Sequence, residues 1–115
     1  MLVVESTGED PYLSTRTVPD TEGPFVVRIR MRLRTRGNGQ CFWGRPFQAA
    51  RSAAFDLRHD GEWHEYVVPL PAKGQLQAFR LDPGRGAGRI EIDWIRLVSL
   101  DGKVLMSYDF GGGGT

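Results

Sequence analysis

The chain has 115 residues, a formal net charge of +1, 40% hydrophobic residues, 15 Gly, 7 Pro and one Cys. That suffices for one self-contained core but not for two domains, and no apolar run approaches the roughly 20 residues of a membrane-spanning helix. Cys41 stands alone, so no internal disulfide can form and the fold does not depend on oxidation.

The near-neutral total hides an uneven distribution. Residues 1–22 carry five acids against Arg16, residues 23–55 carry seven arginines and no acid, and from residue 56 onward nine acids face seven bases. The bases are thirteen Arg and two Lys. The planar guanidinium fork matches carboxylate, sulfate and phosphate, which lysine meets only as a point charge. A balanced net charge and the lack of an aromatic RNP-like pattern argue against a nucleic-acid binder.

In chain order, Leu2–Ser6 reads as a short strand, Thr7–Pro11 as a turn and Tyr12–Val18 as extended. A loop over Pro19–Pro24 leads into Phe25–Arg36, the most informative stretch. There Phe25, Val27, Ile29, Met31 and Leu33 alternate with Arg28, Arg30, Arg32, Arg34 and Arg36. Period 2 over a dozen residues predicts one long strand with one face in a core and the other in water. A slip of one residue would bury five guanidinium groups, so the register is tightly specified.

Gly37-Asn38-Gly39 predicts a tight turn, returning the chain as Gln40–Gly44. Arg45–Arg51 looks irregular. Ser52–Arg58 and Trp63–Leu70 read as strands joined by a hairpin turn at His59-Asp60-Gly61. Pro69 places the second of them at a sheet edge or strand end, with His64, Tyr66, Val68 and Leu70 on one face. Leu76–Asp82 is a further strand, Pro83–Gly88 a glycine-rich loop, and Arg89–Val98 and Lys103–Phe110 a closing pair turned at Asp101-Gly102. Eight or nine one-sided strands and no helix predict an all-β antiparallel β-sandwich of jelly-roll type. Residues 1–110 form the single domain, and 111–115 read as a glycine-rich tail or linker.

Several segments together resemble a known family. Glu-Ser-Thr-Gly-Glu-Asp-Pro-Tyr at 5–12, Gln-Cys-Phe-Trp at 40–43, Asp-Gly-Glu-Trp-His-Glu-Tyr at 60–66 and the run from Phe79 to Leu97 resemble galactose-binding-like jelly-roll modules. Those modules are related to carbohydrate-binding modules and are appended to bacterial sulfatases and polysaccharide-degrading enzymes. The resemblance spans nearly all of residues 2–110. It implies a non-catalytic module that holds glycan or braces a parent catalytic domain, excised from a sulfatase or glycoside hydrolase and working outside the cell or in the periplasm. The segment itself has no signal-peptide pattern. Some relatives carry a structural calcium between first and last strands. By position that implies Glu5 and Asp93, with Asp10 as a lesser candidate, although no compact Asp-x-Asp-x-Asp loop is present.

Two readings of the arginine row stand side by side. Its guanidinium groups pair across strands with Glu65, Asp56, Glu91 or Asp93, or they form a cationic platform for an acidic or sulfated polysaccharide through Arg30, Arg32 and Arg34. Aromatic rings can stack on a sugar face. Trp94 is in phase with Ile90 and Ile92 and is expected in the core, whereas Trp43, Trp63 and the loop residue Tyr12 are the expected exposed aromatics. Arg80 and Asp82 alternate with Phe79 and Leu81 and should face away from the core, in the ion network of the arginine row or on the ligand surface, to which Arg80 is assigned. His59 and His64 flank a turn without Cys or a third His, so they read as ordinary surface histidines. No nucleophile–base arrangement or phosphate loop can be assembled, and Gly84–Gly88 lacks the Lys and following helix of a P-loop. An enzyme is therefore not expected. The partners expected are a polysaccharide and the parent catalytic domain, not a nucleic acid or a membrane.

Overall fold

The computed structural model describes residues 2–6, 12–15, 23–72 and 74–110. Its strands are β1 (Leu2–Ser6), β2 (Leu13–Thr15), β3 (Phe25–Trp43), β4 (Ser52–Phe55), β5 (His64–Leu70), β6 (Phe79–Ser99) and β7 (Val104–Asp109), with one short 3-10 turn at Ala49–Arg51. All pairings are antiparallel. β3 and β6 lie side by side as the spine. β4 and β5 pair with the free edge of β3, while β1, β2 and β7 share the free edge of β6.

A straight strand of 19 residues would reach about 60 Å at ~3.3 Å per residue. The longest extent of the molecule is 35 Å. The spine must therefore fold over, and it does so where both strands are richest in glycine. The sheet curls onto itself into the all-β sandwich expected from the alternation, closed around one continuous core.

Three expectations about the path of the chain are corrected here. Gly37-Asn38-Gly39 is not a turn, and Pro83–Gly88 is not a loop. β3 runs through the first and β6 through the second, with register irregularities between Arg34, Arg36 and Gly39. The physical reason is that glycines with positive φ serve a β-bulge as readily as a hairpin. At Gly88 a Cβ would drive into the Arg34 carbonyl, so only glycine lets the two backbones approach that closely at the corner. The predicted hairpin across His59-Asp60-Gly61 is also absent. β4 pairs with β3 at Gly39–Phe42 and β5 with β3 at Phe25–Met31, so both lie along one edge of β3 without pairing with each other.

Other expectations hold. Phe25, Val27, Ile29, Met31 and Leu33 are buried, as are Tyr66, Val68 and Leu70 on β5, an edge strand that carries Pro69. Phe79 and Leu81 point into the core with Arg80 and Asp82 on the other face. The turn at Asp101-Gly102 is closed by the Gly102 N–H donating to the Ser99 carbonyl at 3.0 Å. Asp10, residues 16–18 of the second expected strand and the tail 111–115 lie outside the described residues.

Candidate functional site

The corner divides the curled sheet into two layers, with residues 25–34 of β3 in the first and 39–43 in the second, and the outer face of the first carries the arginine row. β5 on one side and β6 on the other supply its acids. Arg28 pairs with Glu65, Arg30 with Asp93 at 3.3 Å, and Arg32 with Glu91. Glu91 is 5% exposed and also receives Arg89, at 2.8 and 3.0 Å. Its burial is tolerated because two guanidinium groups satisfy both of its oxygens. Toward the corner the pattern changes. Arg34 stands opposite Arg89 and Arg36 opposite Arg85. Among the described residues, no carboxylate lies within salt-bridge distance of Arg34, Arg36 or Arg85.

The aromatic residues are rearranged relative to expectation. Trp43, expected outside, is 7% exposed and belongs to the core with Cys41, while Phe42 faces out. The cause is the missing turn: the strand continues past Gly39 in the same phase as Phe25–Leu33, so Gly39, Cys41 and Trp43 point inward together. Trp94, expected in the core, lies on the outer face. Register runs from Arg30↔Trp94 to Met31↔Ile92, which makes Asp93 an extra, bulged residue. The bulge moves the inward phase from Ile90 and Ile92 to Ile95 and Leu97, and turns Trp94 out.

Each outward ring named here is covered by a guanidinium. Arg30 and Arg32 lie 5.1 and 4.8 Å from the centre of Trp63, and Arg96 lies 4.0 Å from Trp94. Arg80 lies 4.2 Å from Tyr12 and 5.2 Å from Phe42. These are cation–π distances, each contributing about 0.5–1 kcal/mol at exposed sites. Trp63 therefore supports Arg30 and Arg32 and does not present a bare ring on that side. Tyr12 is 58% exposed and retains open surface.

Beside Trp63 the face opens into a cleft of about 360 Å³ lined by Arg32, Leu33, Arg34, Gly61, Arg89 and Glu91. The loop before β5 forms one wall, tied to β3 by the Gly61 N–H donating to the Leu33 carbonyl at 3.0 Å. Glycine suits 61 because the backbone there has a φ of +72°, and the Arg34 guanidinium lies across it. Among the described residues three guanidinium groups and one carboxylate line it, an arrangement that focuses potential on an incoming anion. Of the residues expected to bind ligand, the cleft gathers Arg32 and Arg34, with Arg30 and Trp63 alongside. Arg80 and Tyr12 form a separate cluster on the second layer, and Trp43 is withdrawn into the core. Glu91 was expected as an ion-pair partner of the arginine row but not as part of a cleft, and Arg89 was missed. Their signal was Glu91 standing between Ile90 and Ile92, an acid set into an apolar run opposite an arginine strand.

The register does not bring the two implied calcium ligands together. Glu5 pairs with Arg89, four residues along β6 from Asp93, roughly 13 Å at ~3.3 Å per residue. Its side chain lies outside the described residues, and Asp93 is engaged by Arg30. Among the described residues no group of three His, Cys, Asp or Glu could hold a metal ion. His59 spans from the Thr35 hydroxyl at 3.2 Å to the Gly37 carbonyl at 2.8 Å, and His64 pairs with Asp60 at 2.9 Å. Both histidines thus fasten the 59–64 loop. Burial pushes the Cys41 thiol far above its ordinary pKa, with the nearby Asp82 adding to the effect, so it is a packed side chain and not a nucleophile. Among the described residues no helix is long and apolar enough to cross a membrane.

Comparison with protein-family models, with curated proteins and with solved structures finds no match to this chain.

Proposed function

We propose that the chain is a non-catalytic carbohydrate-binding module for an acidic or sulfated polysaccharide, working outside the cell or in the periplasm as part of a sulfatase or glycoside hydrolase. The observation that carries this reading is the cationic cleft beside Trp63, where Arg34 has no carboxylate partner among the described residues and Arg89 and Arg32 already share one. A sulfate or carboxylate entering there meets planar, bidentate donors, of which Arg32 is braced by Trp63 and Glu91 and Arg89 by Glu91. Arg30 and Arg32, braced on Trp63 and paired with Asp93 and Glu91, adjoin the cleft along the direction of β3. Titration with a sulfated and a neutral polysaccharide at two ionic strengths tests the reading. The sulfated chain binds and weakens as salt rises; flat isotherms for every anionic glycan remove it.

A second reading, an interaction domain bracing its parent enzyme, draws on a different observation. Arg28, Arg30 and Arg32 are already neutralised, and Val67 is exposed on the open edge strand β5. It predicts concentration-dependent self-association once the partner is removed, measured by sedimentation.

A further inference from the structure

Three of the four large hydrophobic side chains exposed among the described residues, Val67, Leu100 and Val104, gather at the Phe25 end of the first layer. The register shows what joins them. Val26 stands opposite Pro69 on one side and Val98 on the other, and Val98 stands opposite Val104. Val26, Pro69 and Val98 each follow a core side chain and so point the other way, and Val104 shares the face of its partner Val98. The four make one apolar rung across β5, β3, β6 and β7 on the outer face. Val98 is 6% exposed yet lies outside the core cluster.

We infer that this rung is the contact of a weak two-fold homodimer, with a second copy of the chain laid face to face across it. Such a dimer depends on neither reading above, and it differs from the loose self-association of the second in having one defined geometry.

Charge on the two flanks of the rung selects a second copy. Two residues toward the corner, Arg28 and Arg96 stand opposite each other, with their acids Glu65 and Asp109 off to the sides on β5 and β7. Three residues beyond Val98 the other way, Asp101 sits at the tip of the β6–β7 hairpin. Its Oδ1 accepts from the Ser99 hydroxyl and the Lys103 N–H, and its Oδ2 has no partner among the described residues. A half-turn about the rung exchanges the two flanks. It carries Asp101 of each copy over Arg96 of the other, while the rungs meet at the ~10 Å spacing of packed sheets. Lys103 falls at the β7 edge, where the facing strand carries Ser107 and Asp109. This self-complementarity is what an isologous interface requires. The rung spans four strands, under ~20 Å at ~4.8 Å per strand. That falls short of the ~800 Å² per partner of a standard interface, which makes the dimer weak. Both cationic corners stay uncovered, at opposite ends of the pair.

The test is sedimentation equilibrium of the whole chain from about 10 µM to about 1 mM, where a monomer–dimer equilibrium with a Kd on the order of 100 µM is expected. Val104→Lys, at an exposed position, sets a charge in the rung and raises Kd about tenfold or more. Arg96→Glu and Asp101→Lys each place like charges together and, alone, leave the protein monomeric. Mixed in equal amounts they associate again, because the two altered flanks meet each other and so do the two unaltered ones. Urea unfolding of each variant checks that it is folded. Arg34→Gln leaves the dimer unchanged, so failure of the anionic cleft and failure of this contact are read separately. A monomer at every concentration, association that survives Val104→Lys or ignores the charge reversals, or a mixture as monomeric as its two components would overturn the inference.

Discussion

At the Phe25 end of the arginine row, Arg28, Arg30 and Arg32 each meet a carboxylate, and Trp63 lies beneath the last two. At the corner, Arg34 and Arg36 stand opposite Arg89 and Arg85, and like charges directly across a ladder destabilise by about 0.2–1 kcal/mol each. The same strand, with the same alternation, thus serves two ends. One end is a closed ion network that helps hold the sheet together. The other leaves Arg34 without a carboxylate partner among the described residues at the cleft, where the proposed anionic ligand would meet it.

The largest effect is expected where the two ends are joined. Gly88→Ala forces a Cβ into the Arg34 carbonyl and strains a backbone with φ of 153°. It should destabilise by on the order of 3 kcal/mol, measured by urea unfolding, and lose the cationic cleft with the corner. Glu91→Gln breaks the network at its buried centre and leaves Arg32 and Arg89 facing each other. Because both arginines reach water, the expected loss is about 2 kcal/mol, below that of a fully buried pair. Trp63→Ala removes two cation–π contacts and should cost about 1–2 kcal/mol, with weaker binding of a sulfated polysaccharide. Arg34→Gln sharpens the comparison most. Stability should stay within about 0.5 kcal/mol of the parent or rise slightly, while affinity for the sulfated chain falls.

The smallest effect concerns pH. Asp60 titrates below its ordinary value, held down first by the Glu62 N–H and then by His64, and Asp101 is held down first by the Ser99 hydroxyl. Both folded pKa values lie below the unfolded ones. Their stabilisation is therefore present above the ordinary carboxylate value of 3.8 and is lost as pH falls through the depressed folded values. Both groups are exposed, so the midpoint of urea unfolding should shift only slightly there, and Asp60→Asn should reduce the shift.

How much of this could be read from residues alone follows from what period 2 can and cannot carry. Phe25 to Leu33 were placed correctly because a register slip there would bury charge. Pro69 marked an edge because it cannot donate to a ladder. What the alternation cannot carry is a bulge. Asp93 looks like any outward residue of β6, yet as an extra residue it moves every position after it to the opposite face, and Trp94 goes out in consequence. Gly37-Asn38-Gly39 has the composition of a hairpin turn, and only long-range pairing with β6 converts it to a bent strand that takes Trp43 into the core. The pairing of Arg32 and Arg89 on one buried Glu91 likewise depends on which strands become neighbours.

The most direct test is calorimetric titration of a sulfated polysaccharide into the parent protein and into Arg34→Gln, at low and high salt. Salt-sensitive binding to the parent, reduced at least several-fold by the one substitution with no loss of stability, is the predicted result. Equal affinity in both proteins, or no heat of binding at low salt, would contradict the assignment of the corner arginines to a ligand.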